Sequence, residues 1–94
     1  MIPVPQPPAD ETREHRLKRL YMRSIRRGIK EMDIVCTRFA DAELETMSEA
    51  DLTLYDQLLG ENDQDLLLWV TGKEPAPAPY TLMIDRMVAV MGKA

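Results

Sequence analysis

The chain has 94 residues, 45% of them hydrophobic, and a net charge of -4, enough for one small domain with a single core. One phenylalanine, one tryptophan and three tyrosines leave most burial to Leu, Ile, Val and Met, a supply that suits packed helices better than a sandwich of short strands. The lone Cys36 cannot form an internal disulfide, the single His15 has no companions at metal-ligand spacing, and no apolar run approaches the about 20 residues that span a bilayer.

Residues 1–10 contain Pro3, Pro5, Pro7 and Pro8 without periodic patterning, which predicts a disordered or polyproline-like tail ahead of one helical domain over 11–94. This segment lacks the apolar core of a secretory signal, and Asp10, Glu11 and Glu14 are out of place in a mitochondrial presequence. A reducing compartment is expected, most simply a bacterial cytoplasm.

Any of Asp10 to Thr12 can cap a first helix whose stripe is Leu17, Leu20, Tyr21, Ser24, Ile25 and Gly28. Arg16, Arg19, Arg23, Arg26 and Arg27 gather on the other side as a ridge. Residues 13–31 hold eight of the twelve basic side chains against only Glu14 and Glu31, leaving four cations against fourteen carboxylates elsewhere. Such asymmetry can orient an encounter with an acidic partner within a screening length of about 10 Å, and a solvated helix face gives the same pattern.

After Gly28, the set Ile29, Met32, Val35, Cys36 and Phe39 keeps a helical period. Glycine costs about 1 kcal/mol relative to alanine inside a helix, so a break is predicted at Gly28, against the alternative of one helix from 12 to about 40. Ser48, with Asp51 three residues on, opens a third helix through Leu52, Tyr55, Leu58 and Leu59 that stops at Gly60. Asn62 or Asp63 can cap a fourth through Leu66, Leu67, Leu68, Trp69 and Val70, ended by Gly72. Pro75, Pro77 and Pro79 make a stiff connector to a fifth helix with the stripe Tyr80, Met83, Ile84, Met87, Val88 and Met91. The expected fold is an all-α, small five-helix bundle. Trp69, Tyr21, Phe39, Tyr55 and Cys36 suit its core, and an exposed methionine stripe on the fifth helix is a candidate for self-association.

The segment Arg26-Arg27-Gly28-Ile29-Lys30-Glu31-Met32-Asp33 is the candidate site. Read as punctuation, Arg27 ends one helix and Glu31 opens the next, each favourable to the local dipole, with an Arg27–Glu31 pair worth about 0–1 kcal/mol if exposed. Read as a surface, it sets arginine donors beside a carboxylate and a bare backbone, a combination suited to docking on polar groups of another protein. The two readings weigh about equally on physical grounds.

The same segment resembles the succinate dehydrogenase FAD assembly factors, called SdhE in bacteria, whose signature Arg-Gly-x-x-Glu stands here as Arg27-Gly28-Ile29-Lys30-Glu31, followed by Met32-Asp33. The resemblance extends through Arg19-Leu20-Tyr21-Met22-Arg23-Ser24, Arg38-Phe39-Ala40, Tyr55-Asp56-Gln57-Leu58-Leu59 and Asp63-Gln64-Asp65-Leu66-Leu67-Leu68-Trp69 with Gly72, in order over roughly residues 13–80. It implies a five-helix bundle that is not an enzyme. It also implies binding to the flavoprotein subunit of succinate dehydrogenase, and in bacteria that of fumarate reductase, to promote covalent attachment of FAD to a histidine of that subunit. The factor itself would hold no cofactor stably and would meet its client one to one as a monomer. Arg27 and Glu31 would then be docking residues, Gly28 would permit close approach, Arg23 and Arg26 would extend the cationic rim, and Asp33 would complete the partner-binding set; relatives vary at Arg23, so no family contact is carried over to it.

Two other classes compete. A helix-turn-helix nucleic-acid binder is disfavoured because the insertable helix, 48–59, has no Lys or Arg and carries Glu49, Asp51 and Asp56, which phosphates would repel. A generic helical adaptor for another acidic client is also compatible with the residues. No nucleophile–base pair, metal cluster or phosphate-cradling glycine loop can be assembled for an enzyme.

Overall fold

The computed structural model describes residues 11–92. The predicted tail over 1–10 lies outside them. The described residues form five α-helices: α1 Arg13–Ser24, α2 Lys30–Glu43, α3 Glu49–Leu58, α4 Asp63–Val70 and α5 Thr81–Met91, with short 3-10 turns at Leu44–Thr46 and Ala78–Tyr80. The arrangement is all-helical, as the periodicity predicts.

Local chemistry sets most of the boundaries. Thr12 accepts from the His15 amide, Ser48 from the Asp51 amide and Asn62 from the Gln64 amide, so each helix start has one orphan donor satisfied by a side chain. Gly72 adopts φ +77° directly after α4. Its amide donates to Trp69 and that of Lys73 to Leu68, the paired bonds of a Schellman ending, which favours a residue without Cβ.

The core is built around α2, against which α1, α4 and α5 all pack. Leu20, Met32, Cys36, Phe39, Leu52, Tyr55, Leu58, Leu66 and Met87 are fully buried. Phe39 and Tyr55 meet with ring centroids 5.2 Å apart, and the Arg86 guanidinium lies 5.9 Å from the Phe39 centroid. Trp69 takes a flanking place, half-buried and stacked on Tyr80 at 6.1 Å. Burial pushes the Cys36 thiol up to about 11.

Two expectations are corrected here. The fifth helix does not expose a methionine stripe: Met83 and Met87 are buried, and its exposed large apolar side chains are Leu82 and Val88. The first helix ends at Ser24 with Ile25 as its cap, not at Gly28. Beyond it, carboxylates from Asp33 and Asp63 take the Arg27 and Gly28 amides, so those donors have partners without a continued helical ladder.

The polar face of α1 lies on α3. Arg13 and Arg16 reach Glu49, Arg19 grips Asp56 through two bonds of 3.0 and 2.7 Å, and Arg23 joins the same carboxylate. Arg19 also holds Glu11, at 2.8 and 3.1 Å. Three arginines of the expected ridge, Arg16, Arg19 and Arg23, therefore point into an interhelical ion-pair ladder. Beneath it, Ser24 Oγ donates to Leu20 at 2.8 Å, which leaves the buried Tyr55 hydroxyl to donate to Ser24 at 2.6 Å.

Candidate functional site

The motif occupies the connector between α1 and α2 and the first turn of α2. Ile29 stands extended at the α2 N-cap with no side-chain cap of its own, and its carbonyl accepts from the Met32 and Asp33 amides, both at 3.1 Å. Asp33 reaches back to accept from the Arg27 amide. Glu31 and Asp33 lie in the first turn, where carboxylates complement the helix dipole.

Arg27 turns inward, its side chain only 9% exposed. Its Nε donates to Asp63 Oδ1 at 2.8 Å and its Nη2 lies 2.6 Å from the same oxygen. Nη1 donates to the Leu59 carbonyl at 2.9 Å and Nη2 to that of Glu61 at 3.3 Å. One guanidinium thus closes the carbonyl end of α3 and the carboxylate that opens α4. The partner expected for it, Glu31, is replaced by Asp63, because the guanidinium extends toward the α3–α4 turn rather than along α2.

Gly28 is exposed, and its amide donates to Asp63 Oδ2. A Cβ at this position would lie 2.8 Å from that oxygen, closer than side chains tolerate. Its φ is not positive, so the glycine serves close approach rather than a left-handed turn. The approach is made by Asp63 of the same chain.

Asp63 is the residue that reading along the sequence misses as part of the site; there it is only a possible helix cap. Its two oxygens fix both Arg27 and Gly28. Only its place in the Asp63-Gln64-Asp65-Leu66 segment pointed to it, and nothing local signalled its role.

The six sequence-predicted residues therefore divide. Arg23 is paired with Asp56, Arg27 with Asp63, and Asp33 with the connector backbone. Arg26, Gly28 and Glu31 are exposed together with Lys30. Among the described residues, no ion pair is formed by Arg26, Lys30 or Glu31. The same residues contain no group of three potential metal ligands, and no helix long and apolar enough to cross a membrane.

This braced Arg-Gly-x-x-Glu connector falls within residues 18–91, which match the family model described as Sdh5, flavinator of succinate dehydrogenase. The chain belongs to this family. Among its curated relatives, "Succinate dehydrogenase assembly factor 2, mitochondrial" of Danio rerio is 38% identical over 86 residues, covering 85% of this chain and 54% of the relative. The protein of that name from Meyerozyma guilliermondii is 46% identical over 61 residues, 65% of this chain and 45% of the relative. "Succinate dehydrogenase assembly factor 2-B, mitochondrial" of Drosophila persimilis is 36% identical over 91 residues, 93% of this chain and 58% of the relative. The chain spans about half the length of these relatives. In this flavinator-family chain, the five motif residues occupy the connector and the first turn of α2, and only Gly28, Lys30 and Glu31 of them are exposed.

Proposed function

We propose that this chain is a non-enzymatic assembly factor that binds the flavoprotein subunit of succinate dehydrogenase and promotes covalent attachment of FAD to it, with the flavoprotein subunit of fumarate reductase as a second client. The observation that carries this reading is family membership over residues 18–91 together with a motif whose Arg26, Gly28, Lys30 and Glu31 face solvent. FAD is the client's cofactor, and the factor holds none stably.

Attachment requires the flavin held against the client's histidine in a productive geometry, and a partner that stabilises that arrangement raises the rate without donating a reacting group. In this reading Glu31 and Arg26 make polar contacts, and Gly28, by admitting Asp63, keeps the exposed connector in the form the client meets. Arg27 and Asp33 act through the shape they impose on the connector, and Arg23 through the tie it makes between α1 and α3. The factor meets its client one to one as a monomer, in a reducing compartment, most simply a bacterial cytoplasm. The unpaired, buried Cys36 is compatible with that setting.

The test is co-expression with the flavoprotein subunit, with covalent flavin read by fluorescence in a denaturing gel. Wild type should raise flavinylation above the level without factor, and a folded Gly28→Arg variant should not. Equal flavinylation in all three samples would overturn the assignment.

A further inference from the structure

A groove of about 380 Å³ lies between α1 and the end of α2. Its floor is largely apolar, from Leu17, the Tyr21 ring and Leu44, while Lys18 stands on the α1 wall and Glu45 on the other with Asp41, whose carboxylate faces the Tyr21 hydroxyl. The α1–α2 connector joins one end of this helix pair, and Leu17 shares the groove with Leu44 at the other, so the helices run antiparallel. Along α2 and the turn after it, Glu31, Ile34, Arg38, Asp41 and Glu45 recur at three-and-four spacing and are all exposed, Ile34 to 41%. Motif and groove therefore share one face, about 21 Å long by helical rise.

We propose that this groove takes an amphipathic helix of the client: an apolar stripe on Leu17, Tyr21 and Leu44, a carboxylate toward Lys18 and a basic side chain toward Asp41 and Glu45. A channel between two antiparallel helices seats a third helix by ridge-into-groove packing, and walls of opposite charge fix its direction. An anionic ligand such as a nucleotide would meet two carboxylates against one ammonium. The inference rests on the client-binding reading, to which it adds a second contact surface distinct from Arg27, Gly28 and Glu31.

Met22 lines the groove and is 39% exposed; Leu82, on α5, is 76% exposed and lies outside the groove. Binding of the purified flavoprotein subunit should weaken at least tenfold in Met22→Glu and remain within twofold of wild type in Leu82→Glu. Wild-type binding with no change in a folded Met22→Glu overturns the groove alone, whereas failure of wild type to bind overturns the client reading itself. A photo-reactive side chain at Met22 should cross-link to the subunit, through a peptide with a helical apolar stripe flanked by charges of opposite sign, and one at Leu82 should not. A cross-link to a second copy of this chain, equal cross-linking from both positions, or none from Met22 in a complex that still forms overturns the proposal.

Discussion

Asp63 accepts from Arg27 Nε at 2.8 Å across 36 positions of sequence, while its second oxygen stands 2.8 Å from where a Cβ on Gly28 would go. The arginine and glycine of the motif are therefore shaped by one carboxylate on another helix. Gly28→Ala should cost about 1–2 kcal/mol in urea unfolding, through overpacking against that carboxylate. In an Asp63→Ala background the same substitution should cost almost nothing, giving a coupling of about 1 kcal/mol or more. Additive costs would show that Asp63 does not set the tolerance at Gly28.

Glu31 and Arg27 should separate by phenotype. Glu31 is exposed and makes no ion pair among the described residues, so Glu31→Gln should change stability by no more than about 0.5 kcal/mol while lowering client flavinylation. Arg27→Ala strands the mostly buried Asp63 and should cost about 3 kcal/mol, with flavinylation lost alongside. Thermal melts paired with in-gel flavin fluorescence decide the matter; a destabilised Glu31→Gln or an unperturbed Arg27→Ala would reverse the division of roles.

Acid should loosen α1 from α3. Burial opposes ionisation of Asp56, yet the hydrogen bonds and charges of Arg19 and Arg23 outweigh it and hold the carboxyl below its ordinary 3.8. The Arg19 hydrogen bonds likewise hold Glu11 below 4.5. Because these folded-state values are depressed, their stabilisation is complete above the ordinary values and is lost as pH falls below about 4 through the folded ones. Asp56→Asn should flatten the dependence of melting temperature on pH between 5 and 3; an unchanged slope would count against the ladder.

Cys36 should be silent in the native state. The thiol is fully buried and pushed up to about 11 by that burial, so at pH 8 it is protonated and inaccessible. A thiol-specific chromogenic reagent should react only as fast as the protein opens, and at once in denaturant. Rapid native-state reaction would contradict the packing of α2.

The Tyr55 hydroxyl donates to Ser24 inside the core. Tyr55→Phe should cost about 1 kcal/mol and Ser24→Ala somewhat more, since the latter leaves a buried phenol without its acceptor. The double variant should cost less than the sum of the two. Strict additivity in denaturant unfolding would mean that the pair contributes no mutual energy.

Helix positions were legible because they rest on local signals: the caps at Thr12, Ser48 and Asn62, the stop at Gly72, and apolar spacing. The motif was legible as residues but not as a set of roles. Charge spacing along α1 shows a basic ridge, yet it cannot show that Glu49 and Asp56, more than 30 positions away, take up most of that ridge. Arg27 failed for the same reason: adjacent Glu31 is the obvious partner in sequence, and Asp63 becomes the nearer one only once α4 is docked. Where α1 ends was likewise set by tertiary contacts, with Gly28 suggesting a stop four residues too late.

Asp63 is the first residue of α4, so the connector acquires its form only when the C-terminal half of the fold is in place. A chain interrupted before residue 63 would carry all five letters of the motif and the local bonds of Asp33 and Ile29, but not the carboxylate that holds Arg27 and Gly28. The Arg27 and Gly28 contacts of the connector are therefore long-range ones, completed last in chain order by a residue 36 positions beyond the arginine.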